Sequence, residues 1–263
     1  MPRPGFGRIE AAGVLAAVGL LVGLLVPAVQ KVRAAAVKLQ CQCRHCQLGL
    51  ALATYADTHA GQFPPGTVPQ PMPADERLSW VAELLPSLDQ DAVHQQLDRT
   101  AGHAAPANAA ATATPIRSFV CPAAPPTADP VTHSVGVAGV GADAPSLPGG
   151  HPRAGVFGYD RQTRMDPTGV PDGLSTTVLL LEPVGVPGRW AAGGPGTVRG
   201  FDPADPLAGY HAVPGYDPFA RRRSELVALL ADGHSRVIGS DVDPAVLAAL
   251  LTVAGGEAVP PAD

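Results

Sequence analysis

The sequence has few aromatic residues, little charge and none of the common catalytic signatures. Aromatic side chains make up 5% of the 263 residues and charged ones 16%, and only two lysines occur. There is no Gly-x-Ser-x-Gly nucleophile elbow and no His-Glu-x-x-His zinc motif. The glycine-rich run from Gly136 to Gly141 lacks the spacing of a phosphate-binding loop, and Asp143-Ala144-Pro145 follows where a helix should begin. Since no set of catalytic residues converges, we expect neither an enzyme nor a bound cofactor.

A short cysteine-rich segment raises the question of a metal site. Cys41, Cys43, His45 and Cys46 offer three thiolates and an imidazole, which are the ligand types of a tetrahedral zinc site. On a continuous helix, at about 100° per residue, Cys41 and Cys43 point about 200° apart, so the three sulfur atoms do not converge. Cys43 and Cys46 share one helix face, whereas Cys41 and His45 share another. We therefore expect no metal ion here.

Glycine, proline and the distribution of charge indicate the overall architecture. Thirty glycines and thirty prolines favour a loop-rich domain containing β-strands over a helical enzyme. Residues 1–50 carry six Lys or Arg and one acid, a net +5, whereas the other 213 residues carry twelve and twenty-two, a net −10. This split fits a basic stem near a membrane surface and an acidic head, for which a nucleic-acid partner is not expected.

The longest apolar run lies near the N-terminus. Ala11 to Val29 contains nineteen residues without a charge, close to the ~20 that cross a hydrocarbon core. Glu10 stands at the edge of this run, where a carboxylate costs less than the roughly 2.5–3.5 kcal/mol of a span's centre but still needs a partner. That partner is either the free amino group of a neighbouring chain in a helix bundle or, in an uncleaved signal anchor, the lipid headgroup region. A secretory signal peptide is disfavoured, because no small-x-small cleavage site follows.

Good helix formers continue beyond the apolar run. The segment 30–55 is rich in Ala, Leu, Lys and Gln, which predicts one helix from about Phe6 to Thr58. Pro27 should kink this helix without ending it. A roughly helical apolar stripe runs along it. Its members are Val29, Val32, Ala36, Val37, Leu39, Leu48, Leu50, Leu52 and Tyr55.

The remaining sequence predicts short elements separated by turns. Ser79 caps a short amphipathic helix, residues 100–115 form a flexible low-complexity loop, and Asp243 caps a last helix. Asp232-Gly233, between two apolar runs, predicts a hairpin turn. The predicted strands are Arg117–Cys121, Ser134–Ala138, Thr176–Glu182 and Leu226–Leu230. The predicted fold class is α+β, with a long N-terminal helix, partly transmembrane, packed on a loop-rich antiparallel β head with short extra helices.

The first residues resemble a type IV prepilin processing site. A short leader ends in Gly5, Phe6 follows, and Glu10 lies four residues further on. The resemblance implies that a prepilin peptidase cleaves after Gly5 and leaves Phe6 as a methylated N-terminus. Glu10 and Pro27 then lie at pilin-like offsets from this new terminus and would serve assembly. Gly7-Arg8 departs from the apolar or hydroxyl residues usual between the Phe and the Glu.

The resemblance continues through a collinear set of segments over about residues 5–257. These segments include Leu25–Arg33, Gln40-Cys41, Gln47–Leu52, His59–Gly66, Trp80–Pro86, Phe119–Pro122, Asp172–Thr177, Glu182, Ala231–Ile238 and Ala254–Glu257. Together they resemble the large family of prepilin-like proteins with a head domain of unknown function, expanded in planctomycete bacteria. In that family a His stands ten positions before the Asp of the Asp-Gly turn, and here Arg222 occupies the position.

The resemblance implies both a domain organisation and a disulfide. The expected parts are a leader 1–5, an N-terminal helix 6–60 with its transmembrane part at about 9–29, a Pro-rich connector 61–78, a head 79–257 and a tail 258–263. Cys41 falls in the family's pattern, which favours a disulfide to Cys121, stapling helix to head. Reduced, buried thiols are the alternative.

The functional expectation is a membrane-inserted pilin- or pseudopilin-like structural protein, of the kind found in type II secretion-like systems. Expected partners are the membrane, a prepilin peptidase, and either copies of this chain or related pilin-like subunits. Basic residues are more frequent after the span than before it, which alone would place the head in the cytoplasm. Pilin-like chains share this feature and are still translocated, so we expect a single-pass inner-membrane protein with its head in the periplasm or cell envelope. The alternative is an uncleaved, membrane-anchored binding module that does not assemble.

Overall fold

The structure, a computed structural model, describes residues 7–121, 127–182, 187–204, 225–239 and 242–256. Its first element is α1, a helix of 51 residues from Arg8 to Thr58 with Pro27 inside it. At 1.5 Å per residue this helix is about 76 Å long. Ala60 and Gly61 have left-handed φ values of 55° and 74° and stop the helix, with the Gly61 amide donating to the Ala56 carbonyl. The expected long N-terminal helix is confirmed.

Short helices and strands make up the head. The helices are α2 (Trp80–Leu84), α3 (Asp91–His94), α4 (Ala109–Thr112) and α5 (Pro244–Leu251). The strands are β1 (Val131–Thr132), β2 (Val135–Val140), β3 (Val178–Leu181), β4 (Gly188–Arg189), β5 (Val198–Phe201), β6 (Glu225–Leu230) and β7 (Ser235–Gly239). Five of the strands form one sheet in the order β5-β2-β3-β6-β7, and β1 pairs with β4. The α+β class is confirmed.

The sheet is mixed, which corrects the expectation of an antiparallel head. β2 pairs with β5 in parallel, through Gly136 opposite Val198 and Val137 opposite Arg199. The other pairings in this sheet, β2 with β3, β3 with β6 and β6 with β7, are antiparallel. β5 follows β3 in the chain but pairs with β2, on the side of β2 away from β3, and runs in the same direction as β2.

Two local expectations were wrong. The predicted strand at Arg117–Cys121 is a 3-10 helix, Arg117–Phe119. Ile116 and Phe119 are both buried, and their three-residue spacing places them on one side of a 3-10 turn. The predicted flexible loop 100–115 contains α4 and a buried Asn108, whose side-chain amide donates to three backbone carbonyls and whose oxygen accepts from the Asp98 amide. Those hydrogen bonds give the segment the order that its composition does not indicate.

The hydrophobic core lies on both faces of the five-stranded sheet. On one face, α1 and the loops around Trp80 and Trp190 pack against residues such as Leu179 and Leu229. Both indoles are fully buried, and their ring nitrogens donate to the carbonyls of Thr197 and Thr114, respectively. On the other face, α5 packs Leu247, Leu250 and Leu251 against β2, β3 and β6. Asp243 caps α5 by accepting from the Ala245 amide, as expected from the sequence.

Helix α1 lies close to the hairpin formed by β6 and β7. This hairpin turns at Asp232 and Gly233, where Gly233 has a φ of 88° and the Asp232 carboxylate accepts from the His234 amide. Gly49 lies directly against this hairpin, since a Cβ there would lie 3.1 Å from Leu229 Cδ1 and 3.3 Å from Gly233 Cα. The absence of a side chain on Gly49 therefore allows the hairpin to pack against the helix.

A branched side chain at Gly49 is expected to destabilise the protein. We expect Gly49→Val to lower the free energy of unfolding by about 1–3 kcal/mol, because the two γ-carbons must displace the hairpin or the helix. Urea unfolding of the full-length protein in detergent, followed by circular dichroism, measures the change. The matched control is Gln47→Val, an equally branched residue at an exposed position of the same helix. A Gly49→Val protein as stable as the control would show that the hairpin does not pack here.

Candidate functional site

The N-terminal part of α1 is apolar and entirely exposed. Every residue from Ala11 to Val29 is exposed, including Leu15 at 72%. The most apolar 18-residue window of the helix has a mean hydropathy of 2.5 and none of it is buried. The helix is thus long and apolar enough to cross a membrane, and the head does not cover this segment as it would cover a core helix. A signal sequence near an N-terminus shares the same length and composition.

Apart from Pro27, the residues expected to carry processing and assembly lie at or before the first described residues. Gly5 and Phe6 lie outside the described residues. Glu10 lies in the first turn of α1, and its side chain is likewise outside what the structure describes. Pro27 lies within the helix and does not end it. Arg222, the position of the family's His, also lies outside the described residues.

The C-terminal part of α1 packs on the head through one face. Cys41, His45, Leu48 and Leu52 are buried and follow the spacing of a single helical face. Their neighbours on the opposite side, Cys43 and Cys46 among them, are exposed. The single apolar stripe predicted from the sequence therefore corresponds, in the structure, to two stripes on opposite sides of α1.

A disulfide connects this buried face to the head. Cys41 and Cys121 are joined across 80 residues of sequence, with their Cα atoms 5.7 Å apart. Both cysteines are buried, whereas Cys43 and Cys46 are free thiols at the surface. The 3-10 helix that replaces the expected strand leads directly into Cys121 and brings it beside α1. The bond fixes the stem to the head next to the point where the helix leaves it.

A carboxyl group lies buried beside the disulfide. Glu182 follows the last residue of β3 and is 7% exposed. Its carboxylate and the sulfur atoms of Cys41 and Cys121 lie within 4.8 Å of one another. Burial raises the pKa of Glu182 to about 7, although the nearby Arg44 guanidinium acts in the opposite direction. Because the two sulfur atoms are bonded to each other, this cluster does not offer the thiolates that a metal ion requires.

Two histidines complete the surroundings of the disulfide. His45 is 2% exposed, its Nδ1 atom has no hydrogen-bond partner among the described residues, and burial lowers its pKa to about 4. The Nδ1 atom of His133 accepts from the Cys121 amide at 3.3 Å. Burial lowers the pKa of His133, and the charge of Arg44 acts in the same direction. At neutral pH these two imidazoles are therefore uncharged, whereas the Glu182 carboxyl, with a pKa of about 7, is partly ionised beside Arg44.

Sequence analysis did not single out this buried group. The sequence places Glu182 in a family pattern and at the end of the predicted strand Thr176–Glu182, and no sequence pattern marks His133. One signal was available, since Glu182 directly follows Val178–Leu181, a run of four apolar residues that are all buried. That run predicts a buried strand, but the sequence does not show that α1 covers the residue that follows it.

The head also has a cleft of about 320 Å³ beside Tyr159 and Arg161. The charged groups of this cleft are already paired within the head. The Arg161 guanidinium donates to the carbonyls of Leu147, Ala138, Gly155 and Phe157, and the Asp160 carboxylate pairs with Arg77. Burial lowers the pKa of Arg161 to about 10. This guanidinium therefore holds the loops around β2 together.

Comparison with known proteins places the head and part of the stem in one family. Residues 30–212 match the model of a family described as protein of unknown function (DUF1559). The matched range begins after the apolar segment, so it covers the second part of α1 and most of the head. No curated protein and no solved structure matches the chain. Because the match covers well over half of the sequence, this protein belongs to the DUF1559 family of proteins of unknown function.

Proposed function

We propose that the protein is a membrane-inserted, pilin- or pseudopilin-like structural protein that a prepilin peptidase cleaves after Gly5. One observation carries this proposal: a single unbroken helix has an exposed apolar N-terminal part and a C-terminal part fixed on the head. A simple anchor needs only a flexible link to its domain. A helix that is rigidly joined to its head instead fixes the position of the head relative to the membrane-spanning segment, as an assembling subunit requires.

The head is proposed to bind rather than to catalyse. The Arg161 guanidinium of the cleft beside Tyr159 holds the head's own loops, and the cluster at the disulfide is buried under α1. The net charge of −10 on residues 51–263 disfavours a nucleic-acid partner. We propose a position in the periplasm or cell envelope, with the apolar part of α1 in the inner membrane and with copies of this chain or related subunits as neighbours.

Mass spectrometry of the mature N-terminus tests the processing step. The full-length protein is expressed with and without a prepilin peptidase, next to a Gly5→Val variant. We expect a chain that begins at methylated Phe6 only when the peptidase is present and Gly5 is intact. An intact Met1 terminus in all samples would overturn the pilin-like proposal. It would support the alternative, an uncleaved membrane-anchored binding module.

The role of Glu10 distinguishes the two functions. If Glu10 pairs with the new N-terminus of a neighbouring chain, Glu10→Ala should abolish incorporation into a larger assembly while the protein stays in the membrane. Sizing of detergent extracts from membrane fractions measures this, with Glu10→Gln as the variant that keeps the size of the side chain. An anchored module that does not assemble would show the same size and location with either substitution.

A further inference from the structure

The outer face of α1, opposite the head, carries a second apolar stripe. The outer stripe consists of Val32, Ala36, Leu39, Cys43, Cys46 and Leu50. Its members follow one another at alternating intervals of four and three residues, which is the spacing of a coiled-coil seam. All six are exposed, with Val32, Leu39 and Leu50 at 69%, 60% and 70%. Single exposed apolar residues are common, but a continuous seam at heptad spacing indicates a partner helix.

The described part of the head does not cover this stripe. On a helix at about 100° per residue, its members lie roughly opposite Cys41, His45, Leu48 and Leu52, which face the head. The membrane does not cover it either. Leu50 lies 21 residues beyond Val29, the end of the apolar run, so the stripe extends about 30 Å along the helix past the span. Lys31 and Arg33 mark the point where the helix leaves the hydrocarbon region.

The charges along the stripe favour a second copy of the same chain. Copies that share one membrane are held parallel, so identical residues meet along the seam and like charges would repel. No member of the stripe is charged, and its close neighbours Gln40, Gln42 and Gln47 are neutral. The basic residue Arg44 instead faces the buried Glu182 on the head side. Parallel, in-register packing of two copies therefore brings no like charges together along the stripe.

We propose that a second copy of this chain packs on the outer stripe, parallel and in register. Cys43 then faces Cys43 of the second copy, and Cys46 faces Cys46. The two thiols are small enough for close helix packing between the larger Leu39 and Leu50. This inference rests on the proposed membrane insertion, because insertion of both copies at the same depth makes them parallel and aligned. The two free thiols at the surface are thereby covered in the assembly.

Cross-linking of thiols by a bis-maleimide in membranes tests the proposal without oxidising or reducing any cysteine. Each of Cys43→Ser and Cys46→Ser leaves one exposed thiol on the stripe, and a short bis-maleimide joins two such thiols. The control places one thiol about 100° around the helix from the stripe, as Arg33→Cys in a protein that also carries Cys43→Ser and Cys46→Ser. We expect dimers several-fold more abundant with Cys43 or Cys46 than with the control. Leu39→Glu should lower cross-linking through Cys46 several-fold, because it sets two carboxylates opposite each other.

The outcomes separate this proposal from the proposed function. Equal cross-linking at Arg33→Cys would show random collision and would overturn the outer stripe as an interface. A product of this chain with a different protein would overturn the second copy as its occupant. Fractionation of the same samples reports insertion independently. Inserted protein without preferential cross-linking overturns the stripe alone, whereas protein absent from the membrane overturns the proposed function and, with it, the reason for parallel packing.

Discussion

Replacing Cys41 and Cys121 together by serine is expected to lower the free energy of unfolding by roughly 4–5 kcal/mol. The disulfide closes a loop of 80 residues, so its loss restores a large conformational entropy to the unfolded chain. Urea unfolding of the full-length protein in detergent, followed by circular dichroism, measures the difference.

The two exposed cysteines supply the matched control for this experiment. Cys43→Ser with Cys46→Ser also removes two sulfur atoms, but both lie at surface positions of α1. We expect that protein to unfold at the urea concentration of the wild type. Addition of dithiothreitol should destabilise the wild type and the control by the same amount and leave Cys41→Ser with Cys121→Ser unchanged. Insensitivity of the wild type to reduction would contradict a disulfide in the purified protein.

The long helix and the fold class followed from the sequence because they depend on local patterns. Nineteen uncharged residues followed by good helix formers specify α1 regardless of what packs on it. The sequence did not predict which side of α1 faces the head. Val32 and Leu39 belong to the same sequence stripe as Leu48 and Tyr55, but the first two are exposed and the last two are buried. Both faces of the helix are apolar, so only the position of the sheet distinguishes them.

The parts of the head that the sequence did not predict depend on contacts between distant residues. β5 pairs in parallel with β2, a strand that it does not follow directly in the chain, and no local pattern records that pairing. Arg117–Phe119 has the composition of a strand but forms a 3-10 turn, which presents Cys121 to Cys41. The buried position of Glu182 arises only when α1 covers the end of β3. The disulfide cluster is therefore a property of the tertiary fold.

The buried Glu182 and His45 should give the stability of the protein two opposing dependences on pH. The pKa of Glu182 rises from 4.5 to about 7 on folding, so between these values the folded state binds more protons than the unfolded state. Stability from Glu182 is present at low pH and is lost as the pH rises through 7. The pKa of His45 falls from 6.5 to about 4, so its contribution is present above pH 6.5 and is lost as the pH falls through 4.

Single substitutions should reveal each dependence by removing the other. Between pH 4.5 and 6.5 the two contributions oppose each other, and each amounts to about 3 kcal/mol over its full range. Glu182→Gln keeps the shape of the side chain and should leave a free energy of unfolding that rises with pH from 4 to 6.5, with His133 acting in the same direction. His45→Gln should leave one that falls from pH 4.5 to 7. Urea unfolding at half-unit pH steps measures both curves.

A Glu182→Gln curve that parallels the wild type would show that the carboxyl group is not buried against the disulfide. The packing of α1 on this end of the sheet would then be wrong.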